Sequence, residues 1–529
     1  MRNIQAPGRS VVMSTRGMVS TSQPMATQVG LDILRRGGNA MDAAIAAVAT
    51  LCVTEPQSTG IGGDCFLLYH RAGDGKLYGL NGSGRAPARA TLAEFQRRGY
   101  TTVPERDILA VTVPGAVDAW HTALVRFGSM DFGEVLAPAI DYAENGYAVS
   151  PVVAKFWKRH EALLSGCEPS RAALLIDGQA PAAGSQHRQS NLGRSLRRVA
   201  ENGRDAFYTG EIAKEIVRFS GELEGLLTLD DLAAHTSTWV EPIHTDYHGL
   251  RVCELPPNSV GVTVLMILNM LENTRLGDME HLSPTHIHTL TEAYRLAEAE
   301  RNRYVSDPEF SDIPLSDMLS KDFAREQWSR IDLDRALDHP LTSNLPGHRD
   351  TVYLTVVDGA RNAVSFINSL FHMWGSGVVA GDTGIMLQNR GAGFNLTEGH
   401  PNCIAPHKRP RHTIIPAMVY RGDRPILSYG VMGGEYQAMG HSYVLTNWLD
   451  FGMDLQEALD APRFLPTEQT LTVENPIPGR TRAALQDLGH KVVEANAPFG
   501  GGQCIHIDWD NGVLQAASDP RKDGCALGY

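Results

Sequence analysis

Two β-rich runs, residues 351–357 (TVYLTVV) and 363–371 (AVSFINSLF), flank a five-residue polar loop, Asp358-Gly359-Ala360-Arg361-Asn362. Runs of this composition joined by a short glycine-containing loop form an antiparallel hairpin. If the hairpin is symmetric about Ala360, Thr351 lies directly across from Ser369, with Cβ atoms about 5 Å apart. An acid, Asp350, immediately precedes the threonine. Two facing hydroxyls are common enough in bland hairpins that the pair gains chemical meaning only from its surroundings.

Length and charge bound those surroundings. The 529 residues are enough for two or three ordinary domains or one large layered unit. A net charge of −13 disfavours general binding to nucleic acid or membranes, and requires that any anionic substrate be met by local Arg or Lys. The first eight residues hold one Arg but no apolar segment, so no signal peptide is expected. No run of about eighteen apolar residues exists to span a membrane, and a cytoplasmic location is expected. The seven cysteines are odd in number, widely spaced and without C-x-x-C, which predicts reduced, packed thiols and no metal site.

Along the chain, residues 19–38 read as a short strand, a turn and a helix over 24–36 that stops at Gly37-Gly38. Asn39 can cap a second helix, with Asp42 in its first turn and a body over 43–51 so apolar that it must be buried. Gly60-Ile61-Gly62-Gly63-Asp64 lacks the G-x-G-x-x-G spacing of a nucleotide loop and reads as a tight turn before a strand over 65–69. Further helices are expected from 113, over 138–146, over 262–271 and over 286–304, with surface helices between 160 and 240. His286 and His288 are two apart and cannot share a helix face as ligands, so they read as structural or exposed histidines. Residues 307–350 look like an acidic, proline-rich, loop-like tail. A strand is expected over 414–420 and a helix over 437–451, opened by Met432-Gly433-Gly434-Glu435-Tyr436.

Taken together, Asp350-Thr351-Val352-Tyr353, Gly37-Gly38-Asn39-Ala40-Met41-Asp42, Gly375-Ser376-Gly377, Gly384-Ile385-Met386-Leu387 and the run 499–521 resemble the γ-glutamyltransferase family of N-terminal-nucleophile hydrolases, from about residue 19 to the C-terminus. The resemblance implies an α+β fold, a four-layer αββα sandwich in one structural domain. It also implies self-cleavage between Asp350 and Thr351 into a large fragment, 1–350, and a small one, 351–529, that stay together as an αβ heterodimer and could pair again as a dimer of heterodimers. The new N-terminal Thr351 would be the nucleophile.

The chemistry of such a threonine is local. Its own α-amine, with a pKa near about 8, can take the hydroxyl proton, whereas the amide nitrogen of the uncut chain cannot. Ser369 would orient that amine, standing where the family usually has Thr. Gly433-Gly434, at the start of a predicted helix, would offer backbone N–H groups to an oxyanion. Other positions depart from the transferases. The family's carboxylate-gripping Arg aligns with Ser83, leaving Arg85 two places on; an Asn aligns with Phe371; an acidic pair is replaced by Ala392-Gly393, with Arg390 just before; a Ser-Ser pair is replaced by His412-Thr413. Without acids to balance a substrate ammonium, the expected substrate is a small carboxylate-bearing amide, held by Arg85 or Arg390 with help from His412 and Thr413, and with Phe371 filling space. The amidohydrolase branch that releases oxalate and ammonia from oxamate, in purine breakdown, is the nearest in pattern. Water would be the acceptor, with no cofactor and no metal. A γ-glutamyl hydrolase, transferase or acylase is the alternative, and an unprocessed, non-enzymatic scaffold the second.

Overall fold

A computed structural model of the chain describes residues 8–337, 351–467 and 470–529. The hairpin is symmetric about Ala360: strands Val352–Val357 and Ala363–Ser369 pair antiparallel, with Val352 opposite Asn368 and Val357 opposite Ala363. Asp358 builds its loop, accepting the N–H groups of Ala360 and Asn362 on Oδ1. Its Oδ2 accepts the N–H of Ala40, the first residue of a helix.

The hairpin sits at the centre of a seven-stranded antiparallel sheet. In order across it run Cys525–Gly528, Met18–Thr21, Val352–Val357, Ala363–Ser369, Asp64–Arg71, Lys76–Gly82 and Thr238–Val240. A second seven-stranded sheet runs Val12–Ser14, Val513–Ser518, Gly501–Asp508, Arg424–Met432, Ala417–Arg421, Leu250–Glu254 and Ile243–Tyr247. Phe66, Tyr353, Ile367, Met418 and Ile505 belong to a buried cluster drawn from strands of both sheets. Helices cover the first sheet through Ile45, Trp120 and Leu136, packed with Leu67, Val356 and Phe366. Others cover the second through Val264, Leu290 and Tyr443, packed with Val252, Val419 and Leu427.

Helix Ala40–Thr54 is buried at every position, and its start is a capping box in which Asn39 and Asp42 satisfy each other's backbone N–H groups. Several elements differ from expectation. Helix Phe132–Asn145 starts six residues before Pro138, because a capping box of Asp131 and Glu134 nucleates it and the proline rides inside. Helix Pro284–Tyr304 is buried along most of its length, His286 and His288 included. The expected tail contains helices Leu315–Met318 and Lys321–Trp328. Residues 338–350, Asp350 among them, lie outside the described residues. The strand expected from 414 is Ala417–Arg421, since the residues before it bond elsewhere: His412 N–H to Asn258, Val260 N–H to His412, and Ile415 N–H to the Gln437 side chain. The seven cysteines are free thiols. Among the described residues no helix is long and apolar enough to cross a membrane.

Candidate active site

Strand register aligns a row of buried polar side chains. Thr351 meets Ser369 across the hairpin, Oγ1 to Oγ 2.9 Å. Ser369 faces Asp64 across the next pair, and the pairing of Cys65 with Gly82 sets Ser83 beside Asp64. Two residues along each of the first three strands lie Tyr353, Ile367 and Phe66, all in the two-sheet cluster, so the row points the same way.

Ser369 Oγ accepts the Phe371 N–H at 2.8 Å and an Arg390 Nη2 hydrogen at 3.3 Å, and either hydroxyl of its pair with Thr351 can donate to the other. Arg390 is fully buried, donates from Nη1 to Thr413 Oγ1 at 3.1 Å, and lies over the Phe371 ring with its Cζ 4.0 Å from the centroid. Phe371 holds φ at +80°, a left-handed conformation unusual for a bulky residue.

Asp64 is the residue the sequence reading passed over, as the end of a glycine turn. Its Oδ1 accepts N–H groups from Gly84 at 2.9 Å, Gly115 at 3.2 Å and Gln388 Nε2 at 2.9 Å. Those backbones come close only because they lack side chains: a Cβ on Gly84 would stand 1.6 Å from the Val113 carbonyl oxygen. Its Oδ2 accepts from His412 Nε2 at 2.9 Å. Burial opposes its charge, but the hydrogen bonds from His412 and Gln388 and the Arg390 charge hold its carboxyl below the usual range. Burial and Arg390 push His412 down to about 3, so the imidazole is neutral. This corrects the role expected for His412. With its one N–H committed to Asp64, it has no hydrogen to offer a substrate carboxylate.

Arg85 is placed differently from expectation. Its guanidinium bonds Glu309 at 2.8 Å and the His407 carbonyl at 3.0 Å, with Asp307 at 3.8 Å. These partners neutralise it, while Arg390 takes the place beside Ser369.

Gly433 and Gly434 close the second sheet's contribution. Thr355 donates to Ser428 at 2.7 Å, and Gly430 packs so tightly under the Tyr353 ring that a Cβ would come within 2.4 Å of it. Strand Arg424–Met432 ends directly before the two glycines. Both glycines have positive φ, and a Cβ on Gly433 would meet Gly500 Cα at 2.7 Å. Helix Tyr436–Leu449 follows directly.

One group of side chains has metal-ligand spacing among the described residues, His288, Glu292 and His490. Its atoms are engaged with each other and with Arg295. His288 Nε2 bonds the Asp332 carbonyl, its Nδ1 lies 2.7 Å from His490 Nε2, and Arg295 bonds Glu292 at 2.9 Å. A guanidinium beside the carboxylate makes this a hydrogen-bonded network rather than a cation site.

The gamma-glutamyltranspeptidase family profile matches residues 26–529. The chain belongs to that family. Like its relatives in the gamma-glutamyltranspeptidase family it is an N-terminal-nucleophile hydrolase acting on amide C–N bonds. It is 40% identical to a glutathione hydrolase-like proenzyme of Bacillus subtilis, over 98% of this chain and 99% of the relative. It is 34% identical to the oxamate amidohydrolase proenzyme of Klebsiella pneumoniae, over 98% and 99%. The crystal structure of a cephalosporin acylase from Bacillus halodurans matches with a TM-score of 0.93 at 40% identity, covering 100% of this chain and 98% of that one. These gamma-glutamyltranspeptidase relatives are named for three different acyl groups, so the family fixes the reaction and leaves the substrate to the pocket.

Proposed function

We propose that the chain cleaves itself before Thr351 and then hydrolyses a short, carboxylate-bearing amide, with oxamate, giving oxalate and ammonia, as the smallest fitting substrate. In this reading the two sheets and their helices form the αββα sandwich, and fragments 1–350 and 351–529 remain one structural unit.

Thr351 Oγ1 attacks the carbonyl of residue 350, the acyl group shifts from nitrogen to oxygen, and water hydrolyses the ester. The freed amine then takes the Thr351 hydroxyl proton as Oγ1 attacks the substrate amide. Ser369 holds that amine, and Gly433 and Gly434 N–H groups receive the oxyanion, each such donor being worth about 3–4 kcal/mol in the barrier. Ammonia leaves with the proton, and water releases the acid from the ester. The observation that carries the substrate reading is Arg390, a fully buried guanidinium one hydrogen bond from Ser369 and backed by Phe371. A guanidinium so placed grips a carboxylate strongly. The 40% identity to a glutathione hydrolase-like protein supports the second reading, a γ-glutamyl hydrolase.

Ammonia release from a panel of small amides tests the choice. Oxamate should be turned over well above γ-glutamyl anilides. Arg390→Lys should lower its kcat/KM by about 100-fold, from the loss of about 3 kcal/mol of charge-assisted bonding. Arg85→Ala should stay within about twofold of wild type, given partners outside the Ser369 network. Anilides hydrolysed far faster than oxamate would leave the family in place and overturn the pocket reading.

A further inference from the structure

One feature of the site is not used by that mechanism. His412 is completely buried, and its Nδ1 has no hydrogen-bond partner among the described residues. Its other nitrogen is fixed as a donor by Asp64, and Asp64 is itself fixed as an acceptor by three further N–H groups. Ring position is fixed too: the imidazole packs on Phe66, with centroids 4.6 Å apart. The next residue, Thr413, holds the Arg390 guanidinium. A neutral imidazole locked with a bare acceptor in a buried site is costly unless a donor arrives to meet it.

We propose that Asp64 is a positioning residue that makes His412 Nδ1 the acceptor for an N–H of the scissile amide, so that the enzyme takes amides that keep at least one N–H beside the carboxylate held by Arg390. This rests on the reading of a carboxylate-bearing amide as substrate and deepens it. Oxamate offers both groups on adjacent carbons. An amide with two N-alkyl groups offers the carboxylate alone and leaves Nδ1 unsatisfied. The neutral state of His412, with its pKa near 3, means that this acceptor persists across the physiological range.

The test has two arms. In the first, 15N spectra of the His412 ring in the wild-type enzyme should show the Nε2–H tautomer, unchanged between pH 5 and 9. A protonated Nδ1 would overturn the proposal whatever the substrate. In Asp64→Asn the amide can donate to Nε2, so the ring should switch to Nδ1–H. In the second arm, the wild-type kcat/KM for oxamate and N-methyloxamate should exceed that for N,N-dimethyloxamate. That preference should shrink at least tenfold in Asp64→Asn and in His412→Phe, chiefly through KM. Preference unchanged in an Asp64→Asn enzyme whose tautomer has switched would overturn the proposal. If oxamate is not a substrate but another amide is, the substrate reading fails alone, and the same comparison is made with the primary and dialkylated forms of that amide.

Discussion

At the scale of single residues, Phe371 carries the clearest conflict between local preference and site geometry. Its left-handed backbone costs about 1–3 kcal/mol in a non-glycine residue. In return its N–H reaches Ser369 and its ring lies under the Arg390 guanidinium. Asn tolerates that conformation better, but Phe371 is buried in the first sheet's core, so Phe371→Asn should lower the thermal midpoint, the lost burial outweighing the relieved backbone. Losing the buried cation–π contact, about 2 kcal/mol, should lower kcat/KM for the native substrate by about 30-fold. A variant that keeps wild-type activity would reverse this assignment. Ser369→Ala should leave a folded protein with turnover reduced about 100-fold, consistent with loss of an orienting group; wild-type turnover would remove Ser369 from the mechanism. The Thr351–Ser369 pair was legible because both residues belong to one hairpin, whose symmetry is written in its loop. Asp64 was not, because its place beside Ser369 depends on a strand pairing across some 300 residues of sequence. Arg85 misled for the complementary reason, since its acidic partners are two hundred residues away in sequence.

Elements were legible where their ends carry their own chemistry. Helix Ala40–Thr54 declares itself by Asn39 and Asp42, and the structure adds that Asp42 also accepts from the Ser129 N–H, the Ser129 hydroxyl and the Met130 N–H. One carboxylate thus caps one helix and pins the loop that leads to the next. Asp42→Ala should therefore cost more than a simple cap, about 1–3 kcal/mol, by leaving several half-buried donors without this acceptor. Urea denaturation measures this, and a midpoint equal to wild type would show that the cap is dispensable. Asp131 and Glu134 start a helix by the same device, but Pro138 masked it, because a proline reads locally as a breaker. The strand expected at 414 starts later for a reason outside it, the claim that Asn258, Val260 and Gln437 make on its first residues.

For the whole molecule, processing and acid stability are linked through how the two proposed fragments interleave. In the first sheet, strands from after residue 351 lie on both sides of Met18–Thr21, and in the second four adjacent strands of the small fragment lie between strands of the large one. Neither fragment keeps either seven-stranded sheet to itself, so native chromatography should show them together while a denaturing gel separates them. Thr351→Ala should give one uncut chain. Acid should act on the assembly before it acts on surface charges. Burial pushes His286, His412, His441 and His490 down to about 3, and His70, His187 and His235 down to about 4. The unfolded chain protonates each near pH 6.5, while the folded protein does not, so stability falls as pH drops from about 6.5 toward 4. Buried carboxyls raised above their usual value, those of Glu254, Glu292 and Glu298, act oppositely, because the fold gains from their neutral form at low pH and loses that gain as pH rises. Seven histidines outnumber three glutamates. Below about pH 4, the depressed carboxyls of Asp64 and Asp519 add to the loss as they are protonated. The thermal midpoint measured at constant ionic strength should thus climb between about pH 4.5 and 6.5 and level off above, with the fragments parting at the acid end. A midpoint that is flat or falling across that interval would mean that the buried histidines do not remain neutral in the folded protein.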